Sequence, residues 1–152
     1  MSLIILDNTT NKEDFINLII KNNETIDLII CYFTASWCGP CKMISPTVTN
    51  IANNNEHLKV IKIDIDECED ISEFCEISCM PTFKFYKNNN IEPIHTFSGA
   101  DNNELINTIE LLLNNTNQDN TNQDNTNRDN TNQDNTNQDN TNNYELNEIT
   151  DF

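Results

Sequence analysis

The spacing of apolar residues in the first 113 positions predicts a regular succession of strands and helices. Apolar residues three or four positions apart indicate helices, whereas short apolar runs and strict alternation indicate strands. The predicted strands are residues 3–6, 26–34, 59–66, 83–86 and 91–97. The predicted helices are residues 11–21, about 39–52, 69–75 and 102–112. Strands therefore alternate with helices until a final hairpin and helix.

Two of these strands differ in their pattern of polar residues. Residues 26–34 are apolar without clean alternation, which is typical of a central strand covered on both faces. Residues 59–66 alternate strictly, so Ile61, Ile63 and Ile65 predict a single buried face. Strands that alternate with helices before a hairpin predict an α/β fold, with a central mixed β-sheet flanked by helices on both faces.

Local signals mark the ends of the predicted elements. Residues 88–90 are all Asn, which tolerates positive φ and so predicts a hairpin turn. Asp101, followed three positions later by Glu104, predicts a capped start of the last helix, and Thr10 begins a segment with the same spacing. Pro46 lies inside the second predicted helix and predicts a kink there.

The composition changes abruptly near residue 113. Residues 116–140 repeat the five-residue unit Thr-Asn-Gln-Asp-Asn, with Arg128 in place of Gln once. Because this stretch lacks apolar side chains for a core, we predict a folded domain over 1–113 and a disordered, Asn-rich low-complexity tail over 114–152. The tail is interpreted as an acidic spacer, a self-association segment or, the interpretation we favour, a repeat without a role. Residues 144–152 mix apolar and acidic side chains, so a short docking motif there is a further interpretation.

The charge of the chain restricts its partners. The chain has 8 Lys and Arg against 25 Asp and Glu, a formal net charge of −17. This charge argues against nucleic acid and against an anionic membrane as partners. No apolar run approaches the roughly 18 residues of a membrane span, and the first ten residues lack the basic region of a signal peptide. We therefore expect the six cysteines to lie in a reducing, cytoplasmic location.

The segment Trp37-Cys38-Gly39-Pro40-Cys41-Lys42 joins a predicted strand to a predicted helix. A cysteine at the start of a helix meets the partial positive charge of the helix N-terminus, which favours thiolate over thiol. The second cysteine follows about one helical turn later, so the pair can form and open a disulfide. The alternatives are a structural disulfide or part of a zinc site with Cys75, Cys79, His57 or His95. The Gly-Pro insert and the strand-to-helix context favour redox chemistry.

Several motifs together resemble the thioredoxin family over residues 3–113. Residues 37–44 resemble its active-site segment, residues 79–82 its cis-proline loop, and residues 97–100 the turn before its last helix. Residues 64–68, with Cys75 and Cys79, resemble the animal-type thioredoxins that carry extra cysteines. The resemblance implies the thioredoxin fold.

The resemblance also implies roles for the matching residues. Cys38 would be an exposed nucleophile and Cys41 a buried resolving thiol. Trp37 would cover the site, with Asp66 accepting a hydrogen bond from its indole N–H. Gly39 would let a partner backbone approach, and Pro40 would lie in the first turn of the helix. The residues implied to bind the substrate are Met80, Pro81, Thr82 and Gly99.

Tyr32 departs from the family pattern, which usually has a buried aspartate two residues before Thr34. That aspartate is thought to take the proton of the resolving cysteine, whereas a Tyr hydroxyl is a poor base at neutral pH. Lys62 on the neighbouring strand would lose its usual carboxylate partner. The Tyr is closer to tryparedoxin-like relatives, and we expect Cys41 to be deprotonated less readily.

The family implies a disulfide reductase that binds no cofactor and receives electrons from NADPH through a thioredoxin reductase. The clients that the family implies include peroxiredoxins and ribonucleotide reductase. The implied oligomeric state is a monomer. The alternatives are a narrow-client, tryparedoxin-like reductase and a non-enzymatic binding module. Cys68, Cys75 and Cys79 are interpreted either as regulatory thiols or as small buried residues, and Cys79 leaves open a disulfide-linked dimer.

Overall fold

The computed structural model describes residues 2–115. Its strands are β1 (Leu3–Ile5), β2 (Leu28–Thr34), β3 (Leu58–Asp64), β4 (Thr82–Tyr86) and β5 (His95–Ser98). Its helices are α1 (Lys12–Asn23), α2 (Gly39–Asn54), α3 (Glu69–Phe74) and α4 (Asn102–Asn114). No helix among these residues is long and apolar enough to span a bilayer. Apart from residues 114 and 115, where α4 ends, the predicted tail and its repeat lie outside the described residues, so the disordered tail stays a prediction.

The strands form one mixed sheet in the order β1-β3-β2-β4-β5. β1, β3 and β2 are parallel, whereas β4 runs antiparallel to β2 and pairs with β5 as a hairpin. Every residue of β2 is buried, which confirms the prediction that this apolar run is the central strand. α2 therefore begins just after the carboxyl end of the central strand.

Helices cover both faces of the sheet, as the alternating pattern predicts. On one face, α2 and α4 pack on the even-numbered residues of β2 together with Phe83, Phe85 and Phe97. On the other face, α1 and α3 pack on Ile29, Cys31 and Phe33. Burial of aliphatic and aromatic side chains on both sides is the main favourable contribution to the stability of such a layered fold.

The predicted single buried face of β3 is wrong. Val60, which the alternation groups with the polar positions, is buried in the core beneath α2, while Ile61 and Ile63 face α1 and α3. α2 packs on one face of β3, and α1 and α3 pack on the other, so both of its faces are covered. The strand also ends at Asp64, earlier than predicted, where a carboxylate oxygen of Asp64 accepts the backbone N–H of Asp66 at 2.9 Å and turns the chain.

The predicted hairpin turn is confirmed, but its second strand is shorter than predicted. Asn88 and Asn89 both have positive φ, and the N–H of Asn90 donates to the carbonyl of Lys87. Pairing with β4 then begins only at His95. Asp101 caps α4 as predicted, whereas α1 is capped by Asn11 rather than by Thr10.

Candidate redox site

The site begins where β2 passes into α2. Cys38 is the N-cap residue of α2 and has extended backbone angles, so its side chain folds back over the first turn. The backbone N–H of Cys41 donates to the Cys38 sulfur at 3.2 Å. Pro40 lies in this first turn, where its missing N–H costs little. The helix therefore directs an N–H donor and its positive end at Cys38.

Cys38 and Cys41 form a disulfide, with Cα atoms 5.3 Å apart. When the pair is reduced, the N–H of Cys41 and the dipole of α2 both favour negative charge on the Cys38 sulfur. The free thiols among the described residues are Cys31, Cys68, Cys75 and Cys79. The redox pair is thus the pair that the spacing predicts.

Cys38 is not exposed, contrary to the prediction. It keeps 5% of its accessible surface, only slightly more than the 2% of Cys41. Both cysteines pack in a small cluster with Ala35, and the half-buried Ile65 and Met80 cover that cluster. Spacing in the sequence cannot show this cover because Ile65 and Met80 come from distant segments.

Trp37 lies beside the disulfide and is 64% exposed. Its indole N–H donates to a carboxylate oxygen of Asp66 at 2.8 Å, which agrees with the pairing that the resemblance implies. The turn after β3 therefore holds a large, exposed aromatic surface next to Cys38.

A second loop borders the disulfide at the start of β4. The Met80–Pro81 peptide bond is cis, and Thr82 pairs with Phe33 near the end of β2. The N–H of Gly99 donates to the Pro81 carbonyl at 2.9 Å, and Gly99 has φ +116, a conformation that side chains rarely adopt.

The hydroxyls of Thr82 and Ser98 are 2.7 Å apart, which ties this loop to β5. Open space surrounds Gly39 and Gly99, since a Cβ atom added at either would meet nothing within 4 Å. A partner backbone can therefore come close at both glycines.

Tyr32 lies beneath the disulfide and donates a hydrogen bond from its hydroxyl to the backbone carbonyl of Cys41 at 3.0 Å. It is almost fully buried and stacks on Phe83. Burial raises the pKa of Tyr32, so its hydroxyl keeps its proton at neutral pH. Lys62 pairs in register with Tyr32 but forms no ion pair within residues 2–115.

The remaining cysteines fall into two groups. Burial raises the pKa of Cys31 and of Cys68, and it raises the pKa of Cys75 to about 11. Cys79 is exposed, and hydrogen bonds from Ser98 and then Thr82 lower its pKa. No three His, Cys, Asp or Glu side chains in the described part of the chain are grouped to hold a metal ion.

Two residues at the site, Asp64 and Ser98, were not predicted from the sequence as site residues. Asp64 lines a cleft of about 210 Å³ that also reaches Cys41 and Lys62. The sequence does place Asp64 near the site, because it follows the predicted site residue Lys62 by two positions in an alternating strand. The two side chains therefore lie on the same face of that strand. Ser98 gave no such signal, since only the pairing of β4 with β5 brings it to Thr82.

Comparisons with known proteins agree with this geometry. The model of the thioredoxin family matches residues 7–111. Over 89 residues the chain is 43% identical to a thioredoxin of Ophiophagus hannah, covering 59% of this chain and 83% of that protein. The structure resembles that of Fasciola hepatica thioredoxin, with 32% identity, a TM-score of 0.63, and coverage of 71% of this chain and 97% of that chain.

A second similar structure concerns the thiol resolving mechanism of yeast mitochondrial 1-Cys peroxiredoxin through the glutathione and thioredoxin systems. It is 34% identical with a TM-score of 0.61, and the match covers 72% of this chain and 94% of that chain. A buried dithiol at a helix N-terminus beside a cis-proline loop defines a disulfide oxidoreductase. The chain belongs to the thioredoxin family, and it is a thiol-disulfide oxidoreductase.

Proposed function

We propose that this protein is a general protein-disulfide reductase that works through Cys38 and Cys41. The observation that carries the proposal is the N–H of Cys41 directed at the Cys38 sulfur within a closed Cys38–Cys41 disulfide. The Cys38 thiolate attacks one sulfur of a client disulfide, and the other client sulfur leaves with the electron pair as a thiolate. Cys41, after losing its proton, attacks Cys38 and displaces the first client sulfur. The client is reduced and the Cys38–Cys41 disulfide forms.

The surface around the disulfide supports binding of an extended client segment. The Met80–Pro81 backbone precedes the pairing of β4, which begins at Thr82, so an extended client chain can add beside this loop through main-chain hydrogen bonds. The open surfaces at Gly39 and Gly99 allow the client backbone to approach. Exposed Trp37, oriented by Asp66, provides apolar contact for the client beside the attacking Cys38 sulfur.

Electrons reach this site, in our proposal, from NADPH through a thioredoxin reductase, and no cofactor binds the chain itself. Peroxiredoxins and ribonucleotide reductase are the proposed clients. The similar yeast structure, which concerns thiol resolution in a 1-Cys peroxiredoxin, supports the first of them. The free thiols of the domain are typical of a reducing compartment, so we propose that the protein works in the cytoplasm as a monomer.

Tyr32 supports a second proposal, a narrow-client reductase like the tryparedoxins. Its raised pKa and its hydrogen bond to Cys41 leave it unable to take a proton. Lys62 lies next to it and would stabilise negative charge on Cys41 electrostatically.

Cys79 is the proposed regulatory thiol. It is exposed, its pKa is lowered, and it precedes the Met80–Pro81 loop, so a mixed disulfide or a Cys79-linked dimer would block client binding. Cys68 and Cys75 are buried, which favours packing roles for them.

Reduction of insulin by dithiothreitol tests the proposed function. We expect the full chain to accelerate the reaction and the Cys38→Ser variant to leave only the rate of dithiothreitol alone. Cys68→Ser is the matched control, since Cys68 is also an N-cap residue and a serine hydroxyl can keep its hydrogen bond to the Asp7 carbonyl. Equal rates for wild type and Cys38→Ser would refute the proposal.

A second arm replaces dithiothreitol with NADPH and a thioredoxin reductase. Consumption of NADPH with insulin as the client supports the general reductase. Consumption of NADPH with a peroxiredoxin but not with insulin favours the narrow-client proposal. If NADPH is consumed with neither client, the proposed electron transfer from a thioredoxin reductase is rejected.

A further inference from the structure

We propose that Asp64 accepts the proton of Cys41, through water in the cleft that both residues line, when Cys41 resolves the mixed disulfide. The proposal rests on the resolving role proposed for Cys41. Asp64 would then be the proton acceptor for Cys41 in a protein whose central strand, β2, carries no suitable base.

The residues under Cys41 cannot take this proton. Tyr32 already donates its own proton to the Cys41 carbonyl, and burial raises its pKa. The other buried positions of β2 within reach carry apolar side chains or the Thr34 hydroxyl. The proton must therefore leave toward the side of Cys41 that faces the cleft.

The cleft lies between α2 and the carboxyl ends of β2 and β3. Its volume of about 210 Å³ has room for several water molecules. Its walls also supply the polar partners that ordered water requires. Its lining includes Cys41, Lys42, Lys62 and Asp64.

Asp64 is held at the edge of this cleft by the end of β3. It pairs in register with Thr34, and its Oδ1 accepts the N–H of Asp66. Its Oδ2 has no hydrogen-bond partner within residues 2–115. One oxygen thus fixes the side chain, and the other remains available to water in the cleft.

The other charged groups at the cleft favour this arrangement. Lys62 on β3 and Lys42 on α2 carry positive charge toward the same space, and Asp66 is bound to Trp37. The two ammonium groups stabilise a Cys41 thiolate electrostatically, and an ammonium group has donors but no acceptor for a proton. Asp64 is the carboxylate that lines the cleft.

The proposed step conserves atoms and charge. A water molecule takes the Cys41 proton as it passes one of its own protons to Oδ2 of Asp64. The Cys41 thiolate then attacks the Cys38 sulfur, and the bond between Cys38 and the client sulfur breaks with its electron pair on the client. Asp64 returns the proton to solvent or to the departing client thiolate.

The test is the isosteric variant Asp64→Asn, which keeps an Oδ1 acceptor for the N–H of Asp66 and removes the base. Reduced protein is mixed with a limiting amount of dithiobis-nitrobenzoate, whose thiolate product is coloured. The first release reports attack by Cys38, and the second reports resolution by Cys41. All proteins carry Cys79→Ser, because the exposed Cys79 would also react.

We expect Asp64→Asn to slow the second release by about tenfold or more at neutral pH, because a positioned base contributes on the order of 10²–10⁴ in rate. The first release should not change. The deficit should shrink toward about pH 9, where thiols ionise without help. A purely structural defect would slow the second release to the same extent at every pH.

Whether Asp64→Asn slows or speeds the second release distinguishes proton transfer from a purely electrostatic effect of the carboxylate. Loss of a negative charge near Cys41 would by itself favour the thiolate and speed the second release. Glu67→Gln is the charge-matched control in the same turn, and it does not line the cleft. We expect that control to match the wild type or to be slightly faster.

Three outcomes would overturn the proposal. The first is a second release in Asp64→Asn that is as fast as in the wild type or faster. The second is an equal slowing in Glu67→Gln. The third is a second release that persists in Cys41→Ser, which would refute the resolving role of Cys41 itself and so identifies a failure of the proposed function.

Discussion

Two cysteines of this protein occupy the same place at the start of a helix and have opposite chemistry. Cys38 is the N-cap of α2, and its sulfur accepts the N–H of Cys41. Cys68 is the N-cap of α3 and makes no capping hydrogen bond. Its sulfur instead donates to the backbone carbonyl of Asp7 at 3.4 Å. Accepting an N–H stabilises the thiolate, whereas donating the S–H stabilises the thiol.

The two helices also differ in length and charge. α2 has 16 residues and no acidic residue in its first turn, whereas α3 has 6 residues and begins with Glu69 and Asp70. Burial first, and then acidic neighbours such as Glu67, raise the pKa of Cys68. A helix N-terminus therefore makes a cysteine reactive only when its N–H groups point at the sulfur and its neighbours do not oppose the charge.

Alkylation of the reduced protein provides the largest expected contrast between the two N-caps. We expect iodoacetamide at neutral pH to modify Cys38 about a hundredfold or more faster than Cys68, because α2 favours the Cys38 thiolate whereas the pKa of Cys68 is raised, and the thiolate fraction falls tenfold for each unit of pKa. Cys79 should also react quickly, because it is exposed and its pKa is lowered. Mass spectrometry of peptides over time measures each rate, and similar rates for Cys38 and Cys68 would contradict the comparison.

The stability of the fold above pH 9 tests how firmly the α3 region keeps its thiols protonated. Cys75 has a pKa of about 11 in the folded protein against 9.0 for an unperturbed thiol. Between these values the unfolded chain loses the proton and the folded protein keeps it, so stability falls as the pH rises. We expect Cys75 to contribute a loss of about 2 kcal/mol by pH 11, measured by urea unfolding.

Cys75→Ala is the control for this loss. Cys31 and Tyr86 remain in both proteins, and their pKa values are raised by burial first and then in part by Cys75. The decline of stability with pH should therefore be smaller in Cys75→Ala by at least about 2 kcal/mol. Parallel curves for the two proteins would show that Cys75 is not held as a thiol.

Lys42→Glu gives α2 the acidic first turn that α3 has, and the expected effect is the smallest. A charge near a helix N-terminus contributes about 0.3–1 kcal/mol, so we expect alkylation of Cys38 to slow by about two- to fivefold. Thr49→Glu places the same carboxylate on the exposed side of α2 far from its first turn, and it should have less effect. The same mass-spectrometric measurement of Cys38 alkylation compares both variants. Equal slowing in the two would indicate general electrostatic repulsion rather than an effect at the N-terminus of α2.

The order of the elements and the redox pair could be predicted from the sequence because they depend on local spacing. The periodicity of residues 102–112, the Asn turn at 88–90 and the Cys-Gly-Pro-Cys segment each act over a few residues. The burial of Val60 was mispredicted because alternation shows which residues share a face of β3 but not that α2 covers that face. The exposure of Cys38 was mispredicted for a similar reason, since Ile65 and Met80 reach it from other loops.

The sequence by itself determined that this protein has an α/β domain with two redox cysteines at the start of a helix and a Tyr where a base is usual. Only the tertiary structure decided which N-capping cysteine is activated, because Asp7 and Cys68 meet only when α3 packs against the sheet. It also decided that Asp64 and Cys41 share a cleft, because β3 and α2 must pack together to form it. Local spacing determines which reactive residue types stand together in the sequence. Packing between distant segments determines which of their side chains come into contact.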